Sequence, residues 1–235
     1  MYKNKSILAV IPARGGSKGI PRKNIIKING KPLIQYTIDA AKGSKYLDRI
    51  IVSTEDVEIA NIAAECGAEV PFLRPKELAT DETRTIDVLL DTIKKLRFLG
   101  YEYDYIVLLQ PTQPLRESFH IDEAIEKIVD AKAESLISVS EVKEHPILMK
   151  IIDENNETKS LLGCSSDVRR QDFQKVYKVN GAIYINKINN NFNENTSLND
   201  NKLAYIMDKK YDLDIDEPED LELFKLKIMQ INNTI

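Results

Sequence analysis

The stretch Ile7-Leu8-Ala9-Val10-Ile11-Pro12-Ala13-Arg14-Gly15-Gly16-Ser17-Lys18-Gly19-Ile20-Pro21-Arg22-Lys23-Asn24 joins a short apolar run to a loop with three glycines and four cations. Glycine lets backbone N–H groups approach a ligand closely, and cations neutralise phosphate oxygens. The formal net charge is -4, so the positive loop runs against the global balance. Placed at the end of a strand, such a loop reads as a cradle for a polyphosphate. It is not a Walker A loop: counting from Gly15, the second glycine of G-x-x-x-x-G-K-[ST] falls on Ile20. It is not a dinucleotide fingerprint either. Ser17 stands where the second glycine belongs, Pro21 interrupts the segment, and no acid ends a second strand about 20 residues on. A dehydrogenase is thereby set aside.

The first 140 residues repeat the same alternation. Apolar runs at 7–11, 50–52, 105–109 and 136–139 are short and bounded by polar turns, as in strands buried on both faces of a parallel sheet. Helix-period stretches at 32–41, 55–65, 85–99 and 118–131 lie between them. Pro32 suits a first helical position, Ser118 an N-cap, Thr83 or Thr85 a helix start, and Gly67 a C′ position. The fold class predicted is α/β, with three layers, a Rossmann-like mainly parallel sheet and right-handed crossovers. Residues 180–185 read as a strand, 186–201 as an Asn-rich mobile loop, 211–215 as a strand and 218–230 as a helix. No repeat or linker divides residues 1–235, which read as one domain with 141–180 as an inserted arm.

Composition narrows the function. Hydrophobic content of 43% supports a sizeable core, and 30% charged residues of both signs suit a soluble protein. The mild acidity argues against nucleic-acid binding, which needs an extended basic face. No apolar run approaches the roughly 18 residues of a membrane span. Lys3 and Lys5 precede an apolar run of only about five residues, too short for a signal-peptide core. Cys66 and Cys164 lie far apart with no metal or redox spacing, which predicts free thiols in a reducing cytoplasm. His120 and His145 are isolated and read as structural.

In open parallel sheets, ligands bind at the carboxyl ends of the strands. Two further polar clusters end strands there: Ser53-Thr54-Glu55-Asp56, and Gln110-Pro111-Thr112-Gln113-Pro114-Leu115-Arg116. Asp214-Ile215-Asp216 adds a pair of carboxylates. On extended backbone residues i and i+2 face the same way, so Leu213 and Ile215 point inward and Asp214 and Asp216 outward together. Adjacent carboxylates repel unless a cation joins them, and Mg²⁺ is held by one or two carboxylates plus phosphate oxygens. Asp216 can also cap the helix that starts at Pro218, whereas Asp214 has no such role.

Residues 11–24, Arg74-Pro75 with Glu77-Leu78-Ala79, 108–116, Asn180-Gly181-Ala182-Ile183-Tyr184-Ile185 and 214–216 occur in the order seen in the CMP-N-acylneuraminate (CMP-sialic acid) synthetases, cytidylyltransferases for nine-carbon sugar acids. The chain resembles that family over nearly its whole length. The resemblance implies a homodimer with an arm exchanged between subunits, Mg²⁺ dependence and CTP as donor. The sugar acid's anomeric hydroxyl would attack the α-phosphate, and pyrophosphate would leave. By the same resemblance Arg14, Gly15, Gly16, Ser17, Lys23, Asn24, Arg74 and Thr85 bind the nucleotide. Gln110, Thr112, Arg170, Asn180 and Tyr184 contact the acceptor, and Asp214 and Asp216 bind metal. Arg14, Lys23 and Asp216 are the catalytic candidates.

Two departures bear on the acceptor. The family's Pro-Thr-Ser-Pro loop is here Pro111-Thr112-Gln113-Pro114, which puts a larger side chain toward the site or solvent. An aromatic pair near the N-acyl pocket of sialic-acid enzymes is replaced by Asn195-Thr196-Ser197-Leu198, with Phe192 displaced. A related bacterial acid such as legionaminic or pseudaminic acid is therefore a candidate acceptor, and residues 136–141 resemble the legionaminic type. The alternatives are a CMP-Kdo synthetase, a nucleotidyltransferase acting on a sugar 1-phosphate, and a non-catalytic nucleotide-binding module.

Overall fold

The computed structural model describes residues 1–163, 167 and 169–232. Cys164, expected as a free thiol, lies outside them. Ten strands are described: β1 (Ile7–Pro12), β2 (Lys27–Ile28), β3 (Lys31–Pro32), β4 (Arg49–Ser53), β5 (Tyr105–Leu108), β6 (Ser135–Glu141), β7 (Lys150–Ile152), β8 (Thr158–Ser160), β9 (Tyr177–Lys187) and β10 (Leu203–Met207). The helices are α1 (Leu33–Lys42), α2 (Val57–Glu65), α3 (Thr85–Phe98), α4 (Ser118–Asp130) and α5 (Pro218–Asn232). The central sheet has the order β10-β6-β9-β5-β1-β4. Every neighbour in it pairs parallel except β9, which runs antiparallel to both β5 and β6.

Side-chain alternation along the strands builds three layers. Ile7, Ala9 and Ile11 of β1 face α1, α2 and α4, together with Tyr105, Val107, Ile183 and Ile185. Leu8 and Val10 face α3 instead, with Ile106, Leu108 and Tyr184. Both sets are buried, so the strands are apolar at successive positions, as in the sequence. The expected helices are present with small shifts at their ends. Pro32 caps α1 from outside, and Glu117 rather than Ser118 precedes α4, its N–H donating to His120 Nδ1 at 3.0 Å. Thr85 begins α3, and Gly67 follows α2 with φ +90.

Two expectations are corrected. Residues 211–215 form no strand: Lys209–Tyr211 is a 3-10 turn and the backbone beyond it is extended outside any ladder. Among the described backbone bonds it meets the sheet edge through Ile215 N–H to Thr112 O, 2.9 Å. The predicted alternation nonetheless holds, with Leu213 and Ile215 buried and Asp214 and Asp216 exposed. Hydrophobic packing beside α5, not strand pairing, sets their orientation. The Asn-rich segment is likewise not a loose loop. Phe192 is buried against the α3 face, and Asn201 Nδ2 donates to Leu136 O at 2.9 Å and to Asn186 Oδ1 at 3.0 Å. Asn189 and Asn193 accept from backbone N–H groups two residues on, so the asparagines build successive Asx turns.

The segment expected to be an inserted arm leaves the sheet after Glu141 and returns at Tyr177, where those two residues pair. It carries the β7–β8 hairpin, with Leu148, Met149, Ile151, Ile152, Leu161 and Leu162 exposed. A third cluster joins α5 to the phosphate-type loop: Phe224 packs with Ile20, Leu33, Leu213 and Ile215, and edge-on to Tyr36 at 4.9 Å. Phe224 is fully buried. Phe224→Ala is expected to cost about 3–5 kcal/mol in chemical denaturation, by lost transfer energy plus the cavity left behind.

Candidate active site

The carboxyl ends of β1, β4 and β5 meet at one edge of the sheet. Ala13 N–H donates to Ser53 O at 2.9 Å, and Leu109 N–H to Val10 O at 3.0 Å. The segments leaving these strands enclose a cleft of about 290 Å³. Its walls include Arg14, Gly16, Ser17, Lys23 and Asn24 from the basic loop, Arg74 and Thr85 from the second wall, and Gln110 and Thr112 from the third. An adjoining chamber of about 600 Å³ shares Thr85 and Gln110 with the cleft and is closed by Tyr184 and residues 194–199. Thus two polar chambers stand side by side, with two of the predicted residues on their common wall.

The basic loop is held from behind by acids and amides. Gly15 N–H donates to Glu55 Oε1 at 2.7 Å, and the buried Arg74 donates to Glu55 Oε2 at 2.9 Å. Glu55 therefore couples the loop to the opposite wall. Asn24 Nδ2 donates to the Arg14 carbonyl at 2.9 Å, which makes Asn24 a brace for the loop as well as a wall. Arg22 adopts φ +55 and turns its guanidinium outward onto Asp56 and Glu58. Arg22 accordingly does not line the cleft. A Cβ on Gly15 would stand 2.6 Å from Asp56 Oδ2, so a larger residue there would have to displace the Asp56 carboxylate. Gly16 has open space around it and faces the cleft.

Asp214 and Asp216 flank the cleft beside Lys23 and Thr112. Lys23 Nζ donates to Asp216 Oδ1 at 2.9 Å and to Ile215 O at 2.8 Å. Although its residue surface is exposed, the Asp214 carboxyl is partly shielded from water by the surrounding protein, and that shielding, with the Asp216 charge adding to it, holds it above the usual carboxylate range despite a hydrogen bond from Thr112. The Tyr184 phenol is raised by burial and, to a lesser extent, by the Asp214 charge. At the start of α5, Asp220 Oδ2 accepts from the backbone N–H of both Asp216 and Glu217, while the Asp216 side chain turns to Lys23. The pair supplies two hard oxygen donors with a shortage of positive charge, the chemistry of a site for a hard divalent cation. Among the described residues no group of three or more His, Cys, Asp or Glu could hold a metal, so further oxygens would have to come from a ligand.

Some predicted residues stand elsewhere. Asn180 is buried and fully engaged: its Oδ1 accepts from Ser138 Oγ at 2.6 Å and from Ala182 N–H, and its Nδ2 donates to Ser140 Oγ at 2.9 Å. It fixes the irregular pairing of β6 with β9 and lines neither chamber. Arg170 begins a short turn in the arm, and its side chain is outside the described residues. Gln113, expected toward the site or solvent, is instead only 2% exposed and packs against Gly181. Arg116 is also buried, donating to Ala182 O at 2.7 Å, and burial pushes it down to about 9. It ties the end of β5 to β9 beneath Gln110. His120 is buried beside Arg116 and pushed down to about 4, which keeps it neutral and structural. The residues that sequence reasoning did not place are Glu55, Thr80, Asp81 and Thr83. Only Glu55 carried a signal, as part of a polar cluster ending a strand.

Comparison with known proteins agrees with this geometry. A family model described as cytidylyltransferase matches residues 8–232. An N-acylneuraminate cytidylyltransferase of Streptococcus agalactiae serotype V is 38% identical over 216 residues, covering 91% of this chain and 51% of the relative. The chain thus spans about half the length of that curated relative. A CMP-N,N'-diacetyllegionaminic acid synthase of Legionella pneumophila is 36% identical over 228 residues, covering 96% of this chain and 97% of the relative. Among solved structures, a CMP:2-keto-3-deoxy-manno-octonic acid synthetase complexed with CTP has the same fold, with a TM-score of 0.71 at 17% identity over 96% of this chain and 99% of that one.

Proposed function

The chain belongs to the cytidylyltransferase family, and from that premise we propose that it transfers CMP from CTP to the anomeric hydroxyl of a nine-carbon sugar acid. The observation that carries this reading is the pair of adjoining chambers, one lined by Arg14, Lys23 and Arg74 and the other mainly by hydroxyl and amide side chains with Arg84 and Glu194 among them, with Asp214 and Asp216 beside the first. The first suits a triphosphate and the second a polyhydroxylated acceptor. The new bond joins the anomeric oxygen to the α-phosphorus, and the bond from that phosphorus to the bridging oxygen of pyrophosphate breaks. The hydroxyl proton leaves to solvent water as the new bond forms. Arg14 and Lys23 neutralise the phosphates, and Gln110 and Thr85 orient both substrates from the shared wall. Such transfer is mostly positioning and charge stabilisation. Mg²⁺ held by Asp214 and Asp216, with phosphate oxygens completing its shell, would draw charge from the departing pyrophosphate.

The acceptor chamber favours a sugar acid richer in amide and hydroxyl contacts than in apolar ones. Its far wall consists of Glu194, Asn195, Thr196, Ser197, Leu198 and Asn199, and Tyr184 Oη donates to Asn199 Oδ1 at 3.2 Å. The exposed apolar residues of the β7–β8 hairpin suit burial against a second copy, so the working form is a homodimer in which the arm reaches the partner. Among the described residues no helix is long and apolar enough to cross a membrane. The test is pyrophosphate release from CTP and Mg²⁺ with N-acetylneuraminic, legionaminic and pseudaminic acids and Kdo. Release is expected with a nine-carbon acid and not with Kdo. Silence with all of the nine-carbon acids, alongside measurable CTP binding, overturns the acceptor assignment.

A further inference from the structure

Among the described residues lining the cleft, Asp81 is the one carboxylate. A polyanion-binding cleft gains nothing from an acid on its wall, since like charges repel. Yet Asp81 engages two cations of the basic loop at once. Its Oδ1 lies 2.7 Å from Arg14 and its Oδ2 3.2 Å from Lys18. Arg14 also donates to the Thr80 carbonyl at 2.9 Å, so its guanidinium is gripped by two adjacent residues. The other acids that meet this loop approach differently: Glu55 binds it from behind, Asp56 and Glu58 hold Arg22 on its outer side, and Asp216 binds Lys23 at the flank.

The segment bearing Asp81 is built as a small turn. Thr80 and Thr83 share a hydroxyl contact of 2.9 Å, and Thr80 N–H donates to Thr83 Oγ1 at 3.2 Å. The Asp81 side chain itself is 46% exposed and Lys18 77%. Neither is locked by packing, so the contact can open without disturbing the core. Exposed ion pairs are weak and yield to a more highly charged competitor.

We infer that Asp81 is a built-in competitor for the triphosphate: it clasps Arg14 and Lys18 across the mouth of the cleft and is displaced when phosphates take its place. This rests on the reading of the cleft as a CTP site. The clasp occupies both cations in the free protein and sets a threshold of negative charge that a ligand must exceed. Removing the carboxylate therefore tightens polyphosphate ligands and leaves uncharged ones alone.

The experiment compares wild type with Asp81→Asn, by calorimetric titration with CTP and Mg²⁺, with inorganic tripolyphosphate and with cytidine. Thermal melts establish that both proteins are folded. The expected result is CTP and tripolyphosphate bound about two- to fivefold more tightly by Asp81→Asn, the size of one exposed ion pair, with cytidine affinity unchanged. Weaker CTP binding by the variant would show that Asp81 positions Arg14 and Lys18, and overturns the inference. Equal affinities do so as well. Failure of folded wild type to bind CTP at all would remove the cytidylyltransferase reading itself, and the clasp with it.

Discussion

Asp216→Ala is expected to lower kcat for CTP-dependent pyrophosphate release by about 10²- to 10³-fold, the range seen when one group that stabilises developing charge is removed. The fold should not notice. The Asp216 side chain is 69% exposed, its ion pair with Lys23 is of the weak exposed kind worth about 0–1 kcal/mol, and the helix start behind it is capped by Asp220. Circular dichroism and a thermal melt should therefore match wild type within a few degrees. In the variant Lys23 keeps its bond to the Ile215 carbonyl, so the lysine stays in place and the effect reports the carboxylate alone. A variant with full turnover would withdraw Asp216 from the catalytic machinery.

That such a prediction can be made from Asp216 shows what kind of information the sequence carries. The alternation of Leu213, Asp214, Ile215 and Asp216 states which side chains turn inward, and burial confirms it. It does not state what the backbone pairs with. A strand was expected at 211–215, but the residues sit past the end of the ladder, pulled into place by Phe224 and Leu33. Period-2 patterns record burial on one side, which a packed extended segment produces as readily as a sheet. The central strands were legible for the opposite reason. Ile7–Pro12 and Tyr105–Leu108 are apolar at every turn of the pleat because helices cover both faces.

Site residues divide along a similar line. Arg14, Lys23, Arg74, Thr85, Gln110 and Thr112 do converge on one cleft, as the strand-end rule predicts, though Thr112 lines the basic cleft and not the chamber given to the acceptor. Asn180 shows the limit. Its place in the Asn-Gly-Ala-Ile-Tyr-Ile stretch marks the family, yet its side chain is consumed by Ser138 and Ser140 in pinning β9 to β6. A motif records that a residue matters and is silent on whether it meets ligand or protein. Asp81 was illegible altogether. Nothing in its spacing sets it apart from the other acids of the chain, and its meaning arises only when the turn at 80–83 brings it against Arg14.

The glycines of the basic loop carry the argument to a final expected result. Read from sequence, all of them permit a close approach of ligand to backbone. In the structure Gly19 approaches the protein instead: a Cβ there would lie 2.2 Å from the Asp216 carbonyl oxygen, a backbone atom with no freedom to rotate away. Gly19→Ala must therefore push the loop and the Asp216 segment apart. Lys23 lies on the displaced loop, and its contacts with Ile215 and Asp216 span the same interface. The expected outcome is a loss of about 10² or more in kcat, because a misplacement near 1 Å costs that much in a reaction governed by positioning, with a lowered thermal midpoint. Gly16→Ala supplies the contrast. No atom stands within 4 Å of a Cβ at Gly16, so its thermal midpoint should be that of wild type. Because Gly16 lines the cleft, a methyl group there obstructs the nucleotide and raises KM for CTP. Steady-state kinetics and melts on the two variants separate a glycine kept for the protein from one kept for the substrate. Identical behaviour of the two would refute that division.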